Sequence, residues 1–241
     1  MFTHKPMATP SLKRQTIFGQ RFYTNSEEEF FYPSVTSVLS SANNEWLVNW
    51  RNAVGPENAE KLVKMASRRG GAVHSAMESH IKGTGNGVEE IQCSQMLLRM
   101  FNQIRSVVDE NLTEIYLQEK AVVSHTLKVA GTVDLFGLWN GRPTIVDFKT
   151  SVELLEQDSP QLSKYFAQAV TYAMMVTEVF SLKIVPGIKI LLATDDGYFQ
   201  EYNVPKRDYP IHLQYFLDCK RKFDETLKEK ERVHAETIST I

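Results

Sequence analysis

Two aspartates and a lysine lie close together in the chain on either side of an Asn-Gly dipeptide. Asp134 precedes Asn140-Gly141, and Asp147 and Lys149 follow it. An Asn-Gly pair between two apolar runs is typical of the two-residue turn that joins antiparallel strands. With that turn as the loop, the strand register places Asp134 opposite Asp147. If Pro143 marks a bulge, the register is instead shifted by one residue.

Opposed carboxylates of this kind need a compensating charge. Facing side chains on antiparallel strands have Cβ atoms roughly 4.5–5.5 Å apart, and like charges there are destabilising. Lys149 lies two residues after Asp147 and therefore on the same strand face. Two carboxylates beside an ammonium suit Mg²⁺ or Mn²⁺ with a phosphodiester. We therefore predict a metal-dependent phosphodiesterase site; the alternative is an exposed hairpin with ordinary surface charges.

Two further candidate ligands precede the hairpin. Apolar residues at helical spacing predict a helix over residues 56–82, and His74 lies beside its apolar stripe. His74 is either a core histidine or a third metal ligand. Gly70 and Gly71 in the interior of this helix indicate close approach by another backbone or by a ligand. Glu119, in a predicted strand, either supports the site or is a structural charge partner.

A helix predicted over residues 159–180 carries a stripe of polar and aromatic side chains. Ser159-Pro160 has the residue types of a cap and a first helical position. The stripe is either a solvated face or a surface that contacts phosphates and bases. Its members are Gln161, Tyr165, Gln168 and Tyr172.

The remaining pattern predicts how the chain is organised. A hairpin over 16–23 and 30–32 follows a loosely structured start, and a second amphipathic helix is expected over 88–109. Strands are expected over 113–125, 127–138, 188–193 and 198–204, and a closing helix over 208–232. We divide the chain into an extension with a hairpin (1–30) and a single domain (31–241). That domain comprises a helical lobe (31–111), a catalytic core (112–205) and a C-terminal helix (206–241).

Composition excludes several classes of protein. The 241 residues suffice for one large domain, and 42% hydrophobic and 23% charged residues argue against disorder. No apolar run is long enough for a membrane span, and the net charge of -2 neither indicates nor excludes nucleic acid. Cys93 and Cys219 suggest a reducing compartment without disulfides. The glycine-rich loop over 82–87 lacks the Gly-Lys-Ser/Thr ending of an ATP site.

Four motifs together resemble those of the PD-(D/E)XK nuclease superfamily, in its RecB-like exonuclease branch. They are a helical Arg-Gly-x-x-x-His, a Gly-x-x-Asp strand, an Asp-x-Lys-Thr strand and a Gln-x-x-x-Tyr helix, and they occur in the family's order. The sequences of residues 32–36 and 145–151 resemble the corresponding stretches of the mitochondrial genome maintenance exonucleases and their phage relatives. The residues that match the motifs are Arg69, Gly70, His74, Gly131, Asp134, Asp147, Lys149, Thr150, Gln168 and Tyr172.

The resemblance implies a fold and a set of roles. The fold is α/β, with a central twisted mixed sheet flanked by helices and a small N-terminal helical lobe. Mg²⁺ or Mn²⁺ would be held by His74, Asp134, Asp147 and the carbonyl of Phe148. Asp134, Asp147, Lys149, Gln168 and Tyr172 would be catalytic. Contacts to DNA are expected from Ser34, Thr36, Arg69, Thr150 and Tyr165.

The expected activity is that of a metal-dependent DNA exonuclease that prefers single-stranded ends. We expect neither a membrane nor ATP as a partner. A bacterial or phage-infected cytoplasm is the expected location, with the mitochondrion as the alternative. Two other functions stay open: a structure-specific endonuclease or nickase with the same metal site, and an inactive module that binds DNA.

Overall fold

The structure, a computed structural model, describes residues 2–41 and 44–239. Its strands are β1 (Thr3–His4), β2 (Lys13–Ile17), β3 (Gln20–Thr24), β4 (Tyr32–Pro33), β5 (Leu112–Ser124), β6 (Val129–Trp139), β7 (Arg142–Ser151), β8 (Gly187–Thr194) and β9 (Phe199–Asn203). Its helices are α1 (Val35–Ser41), α2 (Asn44–Val54), α3 (Pro56–Lys82), α4 (Asn86–Ile91), α5 (Gln95–Asn111), α6 (Pro160–Val179) and α7 (Tyr209–Ser239).

A mixed six-stranded sheet forms the centre of the fold, in the order β1-β5-β6-β7-β8-β9. The pairs β5–β6, β6–β7 and β8–β9 are antiparallel, whereas β1–β5 and β7–β8 are parallel. The parallel step from β7 to β8 runs through α6, because parallel neighbours need a crossover connection. This architecture confirms the predicted α/β class with helices flanking a mixed sheet.

Both faces of the sheet are buried. Phe136 and Ile145 pack into a core with residues of α1, α6 and α7, while the neighbouring Leu135 and Val146 pack into a second core with residues of α3 and α5. Alternate residues of a strand point to opposite faces, so a strand covered on both sides is apolar throughout. This is why the run before Asp147 lacks polar alternation.

The predicted hairpin is confirmed. Asn140 and Gly141 have φ of 49° and 73°, as a primed turn requires. The pairing runs without a shift from Trp139 with Arg142 to Leu135 with Val146. Pro143 therefore does not mark a bulge, and the alternative register is wrong.

Other elements differ from the prediction in their limits. The helix expected over 88–109 is two helices, α4 and α5, because Ser94 caps a new helix by accepting a hydrogen bond from the N–H of Leu97. The first predicted hairpin strand is two strands, β2 and β3, with a turn at Phe18-Gly19. β3 pairs with β4 on its other side, which gives a separate three-stranded sheet in the order β2-β3-β4. No helix in the described part of the chain has the length and apolarity to cross a membrane. The division into lobe and core stays a prediction.

Candidate active site

The site lies where strands β6 and β7 part. Their pairing ends at Leu135 with Val146, whereas β6 remains paired with β5 as far as Val129 and β7 with β8 as far as Ser151. Asp134 and Asp147 are the next residues beyond the last pair. The cleft between the diverging strands therefore begins at the two predicted carboxylates.

The cleft has a volume of about 310 Å³ and is lined by residues that lie between positions 14 and 172 of the chain. Eight of the predicted site residues line it. They are Ser34, Thr36, His74, Glu119, Asp134, Lys149, Gln168 and Tyr172. Larger cavities exist elsewhere, but none of those described brings together a comparable set of acids, histidine and lysine.

His74, Glu119 and Asp134 form a group that can hold a metal ion. One ligand atom from each lies within 4.8 Å of the others. Nδ1 of His74 is 3.6 Å from Oε1 of Glu119 and 3.6 Å from Oδ2 of Asp134. All three side chains are partly exposed to the cleft. Glu119, which the sequence indicates only as a supporting residue, is thus a central member of the group.

A hydrogen bond to β7 sets the orientation of the His74 ring. Nε2 lies 2.8 Å from the backbone carbonyl oxygen of Phe148. Because a carbonyl oxygen can only accept, Nε2 carries a proton and Nδ1 is the nitrogen that faces the carboxylates. Burial lowers the pKa of His74, but the charges of Asp134 and Glu119 outweigh burial and raise the pKa to about 9. The pair of acids therefore favours a cationic group at this point.

Asp147 and Lys149 form a buried ion pair beside this group. Nζ of Lys149 is 2.5 Å from Oδ2 of Asp147, which is 1% exposed. Burial raises the pKa of Asp147, and the charge of Asp134 adds to that effect. Burial alone would lower the pKa of Lys149, but Asp147 and Asp134 raise it, so the ammonium is retained.

One oxygen of Asp147 has no partner even so. Oδ2 lies at the ammonium of Lys149, whereas Oδ1 is buried without a hydrogen-bond partner within the described ranges. A buried carboxylate oxygen without a partner is costly, and a cation is the kind of ligand that offsets the cost. Oδ1 is therefore an available ligand atom for a metal ion, the role expected of Asp147 from its position opposite Asp134.

Glu119 has an unusual backbone conformation. Its φ is 47°, in the left-handed region that side-chain-bearing residues rarely adopt, at a cost of about 1–2 kcal/mol. The pairs Gln118 with Leu135 and Lys120 with Val133 flank it, which places Glu119 opposite Asp134 on β6. Strain of this kind is frequent at functional sites. No local sequence signal marks this backbone conformation.

Helix α6 covers the cleft with the Gln-x-x-x-Tyr pair. Tyr172 is 2% exposed, and burial raises the pKa of its hydroxyl. Nε2 of Gln168 lies 3.5 Å from that hydroxyl. A Cβ at Gly131 would be 2.8 Å from Cε1 of Tyr172, so only glycine allows the ring to lie against β6 there. The two motifs thus depend on each other sterically.

The residues expected to contact DNA are placed in different ways. Thr36 is exposed at the cleft, while Ser34 is buried and its Oγ accepts from the N–H of Ser37 as a helix cap. Arg69 donates to Oδ2 of Asp195 at 2.7 Å and to Thr150. Arg69 and Thr150 therefore contact each other beside the cleft, and neither of them lines it.

Tyr165 lies beneath the lysine rather than in the cleft wall. Its ring centroid is 5.0 Å from Nζ of Lys149, within the range of a cation–π contact.

Gly70 and Gly71 of α3, expected to mark a close approach, each leave enough space for a Cβ atom. A Cβ at Gly70 would be 3.6 Å from Oγ1 of Thr150, an ordinary contact, and one at Gly71 would meet no atom within 4 Å. The expected approach by another backbone is wrong.

Four further cleft residues were missed. Arg14, Arg21 and Tyr23 come from the β2–β3 hairpin, and Thr132 from β6. The available signal was the basic, acid-free composition of the first 23 residues. That composition is equally typical of a targeting peptide, so it did not point to a site.

Comparisons with known proteins give little further information. No protein-family model matches the chain, and no curated protein matches it. Among solved structures, it is similar to an Eubacterium rectale protein provisionally named an exonuclease, at 10% identity and a TM-score of 0.45. The alignment covers 64% of this chain and 65%, just under two thirds, of that one. Likeness at this level carries no assignment, and the resemblance to PD-(D/E)XK nucleases stays an expectation.

Proposed function

We propose that the chain is a metal-dependent deoxyribonuclease that hydrolyses phosphodiester bonds from single-stranded DNA ends. One observation carries the proposal: His74, Glu119 and Asp134 converge within 4.8 Å in a cleft that also presents the ammonium of Lys149. Three ligand groups for a cation beside a lysine are the parts required to bind and activate a phosphodiester.

The donor set fits Mg²⁺ or Mn²⁺. Carboxylate oxygens are the preferred ligands of both ions, and one imidazole is compatible with them. His74 through Nδ1, Glu119 and Asp134 would hold the ion, and Oδ1 of Asp147 is a further ligand atom. When bound, such an ion supplies polarisation of the phosphate and a lower pKa for a water molecule.

The chain's own groups have separate tasks in the reaction. Hydrolysis forms a bond from phosphorus to the water oxygen and breaks one to the leaving sugar oxygen; the water's proton leaves to solvent, and the leaving oxygen is protonated by water. The ammonium of Lys149 orients the attacking water and offsets charge on the phosphoryl oxygens. Asp147 holds that ammonium in place. Gln168 and Tyr172 steady the phosphate from α6.

The decisive experiment compares linear and circular single-stranded DNA. The linear strand is labelled at either end, and each DNA is incubated with Mg²⁺, with Mn²⁺ and with EDTA. We expect metal-dependent shortening of the linear strand while the circle persists, with loss of activity in Asp134→Asn. That variant keeps an oxygen that can accept the hydrogen bond from the N–H of Phe148.

Other outcomes would replace the proposal. Cleavage of the circle would identify an endonuclease or nickase with the same site, since an exonuclease needs an end. Binding of either DNA without cleavage in both metals would identify a binding module. Activity that persists undiminished in EDTA would contradict the metal site itself.

A further inference from the structure

The β2–β3 hairpin contributes two arginines to the wall of the cleft. Arg14 and Arg21 line the same cavity as Asp134 and Lys149. Both side chains are exposed. They belong to the segment that the sequence indicated as an N-terminal extension, and the proposed reaction assigns them no role.

The hairpin register places both arginines on one face. Arg14 pairs with Tyr23, and Arg21, two residues before Tyr23 on the same strand, pairs with Thr16. Directly paired residues and residues two apart on a strand share a face. Arg14, Arg21 and Tyr23 therefore point to the same side of the hairpin, which is the side that borders the cleft.

Several contacts hold this face against the catalytic sheet. The hydroxyl of Tyr23 is 3.3 Å from Oγ1 of Thr132, two residues before Asp134. Ser34 forms a bridge with Ala130, on the part of β6 that β7 has left. The backbone of Arg21 accepts from the N–H of Ser34 at 2.8 Å and donates to Oγ of Ser37 at 3.0 Å. The arginines are thus carried by an anchored strand rather than a free tail.

Neither guanidinium forms an ion pair with a carboxylate within the described residues. Arg69, by contrast, is paired with Asp195. The acids of the cleft, Glu119 and Asp134, lie against His74 instead. Two unpaired guanidinium groups beside a phosphodiesterase site present donors whose geometry matches phosphate oxygens.

We propose that Arg14 and Arg21 bind a backbone phosphate of the DNA strand next to the phosphate that is cleaved. The inference rests on the proposed function and adds a binding site for the strand that leads into the cleft. The arginines hold the strand through its charge, without reading the bases. They are positioning residues, since neither belongs to the group around Asp134.

The first measurement is binding of a fluorescent single-stranded oligonucleotide in EDTA, at several salt concentrations. Arg14→Gln and Arg21→Gln are each expected to weaken binding about tenfold. The double Arg14→Gln, Arg21→Gln variant should also reduce the slope of log affinity against log salt by roughly 0.7, the value for one phosphate contact on a single strand. The matched control is Lys13→Gln, which removes a positive charge from the residue of β2 that directly precedes Arg14. Lys13 pairs with Thr24 and so lies on the opposite face; its variant should bind like the wild type.

A second measurement locates the contact. Oligonucleotides with a single neutral methylphosphonate linkage, moved along the strand, are bound to each variant. In the wild type, one linkage position should cost about tenfold in affinity. In the double Arg14→Gln, Arg21→Gln variant this penalty should disappear, because the contact that the linkage removes is already gone. If the penalty persists in that variant, or if Lys13→Gln has the same effects, the proposal is overturned.

The outcome separates this inference from the proposed function. If the wild type cleaves DNA normally but the arginine variants bind with wild-type affinity and salt slope, only the arginine site is wrong. If the wild type neither binds nor cleaves, the proposed function fails first.

Lysine variants replace any glutamine variant that folds poorly. Arg14→Lys and Arg21→Lys keep the positive charge but lose the planar guanidinium group with its paired donors. Each should bind the oligonucleotide with an affinity between those expected of the wild type and of the glutamine variant, and its methylphosphonate penalty should fall at the same linkage position as in the wild type.

Discussion

Oδ2 of Asp134 accepts a hydrogen bond from the backbone N–H of Phe148 at 2.9 Å, at the point where the pairing of β6 and β7 ends. A side chain thus replaces the next backbone bond of the ladder and joins the two strands as they part. The carbonyl of the same residue, Phe148, accepts from His74. One peptide segment of β7 therefore orients both a carboxylate and an imidazole of the candidate metal site.

The buried ion pair should contribute to both activity and stability. Asp147→Asn is expected to lower the cleavage rate about 10³-fold, and Lys149→Ala should abolish cleavage. Each single variant also leaves the other member of the buried pair without its partner, so each should lower the free energy of unfolding by about 3 kcal/mol. Urea unfolding and single-turnover cleavage measure the two effects.

A double variant controls for this interpretation. Asp147→Asn combined with Lys149→Met replaces both charges, so it should recover most of the stability lost in Lys149→Ala while remaining inactive. An active Lys149→Ala enzyme, or a double variant no more stable than Lys149→Ala, would contradict the assignment.

Steric dependence between Gly131 and Tyr172 gives a second prediction. Gly131→Ala places a methyl group 2.8 Å from Cε1 of the Tyr172 ring, so it should destabilise the fold by about 1–3 kcal/mol and displace the ring from the cleft. Tyr172→Leu removes the atoms that clash. The double variant should therefore lose less stability in urea than the two single variants together. Strictly additive losses would show that the ring does not lie against Gly131.

Tyr165 should act through Lys149. Its ring lies 5.0 Å from the ammonium, and a partly desolvated cation–π contact is worth about 1–2 kcal/mol. Tyr165→Leu should lower kcat roughly tenfold with little change in KM, whereas Tyr165→Phe keeps the ring and should behave like the wild type. A rise in KM in Tyr165→Leu at unchanged kcat would instead support the contact with DNA that the sequence predicts.

Glu178 should make stability depend on pH far from the active site. Its carboxylate accepts from Oγ of Ser124 and from the backbone N–H groups of His125 and Thr126. Although burial raises the pKa of Glu178, these hydrogen bonds outweigh burial and lower it. The lowered pKa means that the stabilisation is complete above the ordinary glutamate pKa of about 4.3 and is lost as the pH falls through the folded-state value.

Glu178→Gln should therefore reduce the free energy of unfolding by roughly 1 kcal/mol at neutral pH, a modest figure because the carboxylate is partly exposed. The difference from the wild type should shrink as the pH falls from neutral to about 3. Glu225→Gln changes an exposed carboxylate on α7 and serves as the control, with the stability of the wild type expected at neutral pH. A loss in Glu178→Gln that is the same at both pH values would contradict the assignment.

Local patterns predicted the elements with strong local signals. The helix over 56–82 and the turn at Asn140-Gly141 have the predicted limits, because helical periodicity and primed-turn chemistry act over a few residues. The break before Ser94 was missed because the apolar spacing continues across it while the cap acts on only one turn. The placement of Asp134 and Asp147 at opposite positions of the two strands followed directly from the turn.

Long-range placement could not be predicted in the same way. Glu119 joins His74 through pairing of β5 with β6 and packing of α3, which bring together residues distant in sequence. Asp147 forms an ion pair with Lys149 and lies outside the compact group of His74, Glu119 and Asp134. This separation of the two aspartates depends on how far β6 and β7 diverge. Arg69 is paired with Asp195, a residue 126 positions away in the chain.

The sequence by itself determined the hairpin, its register, and the residue types that make phosphodiester chemistry feasible, because turn geometry and strand alternation are local properties of the chain. Only the tertiary structure decided which acids lie close enough to share one ion, that Lys149 is paired with Asp147 while Arg14 and Arg21 have no carboxylate partner among the described residues, and that the first strands form a wall of the cleft. Those outcomes depend on packing between distant segments, where one residue's burial and charge environment is set by neighbours that no local pattern specifies.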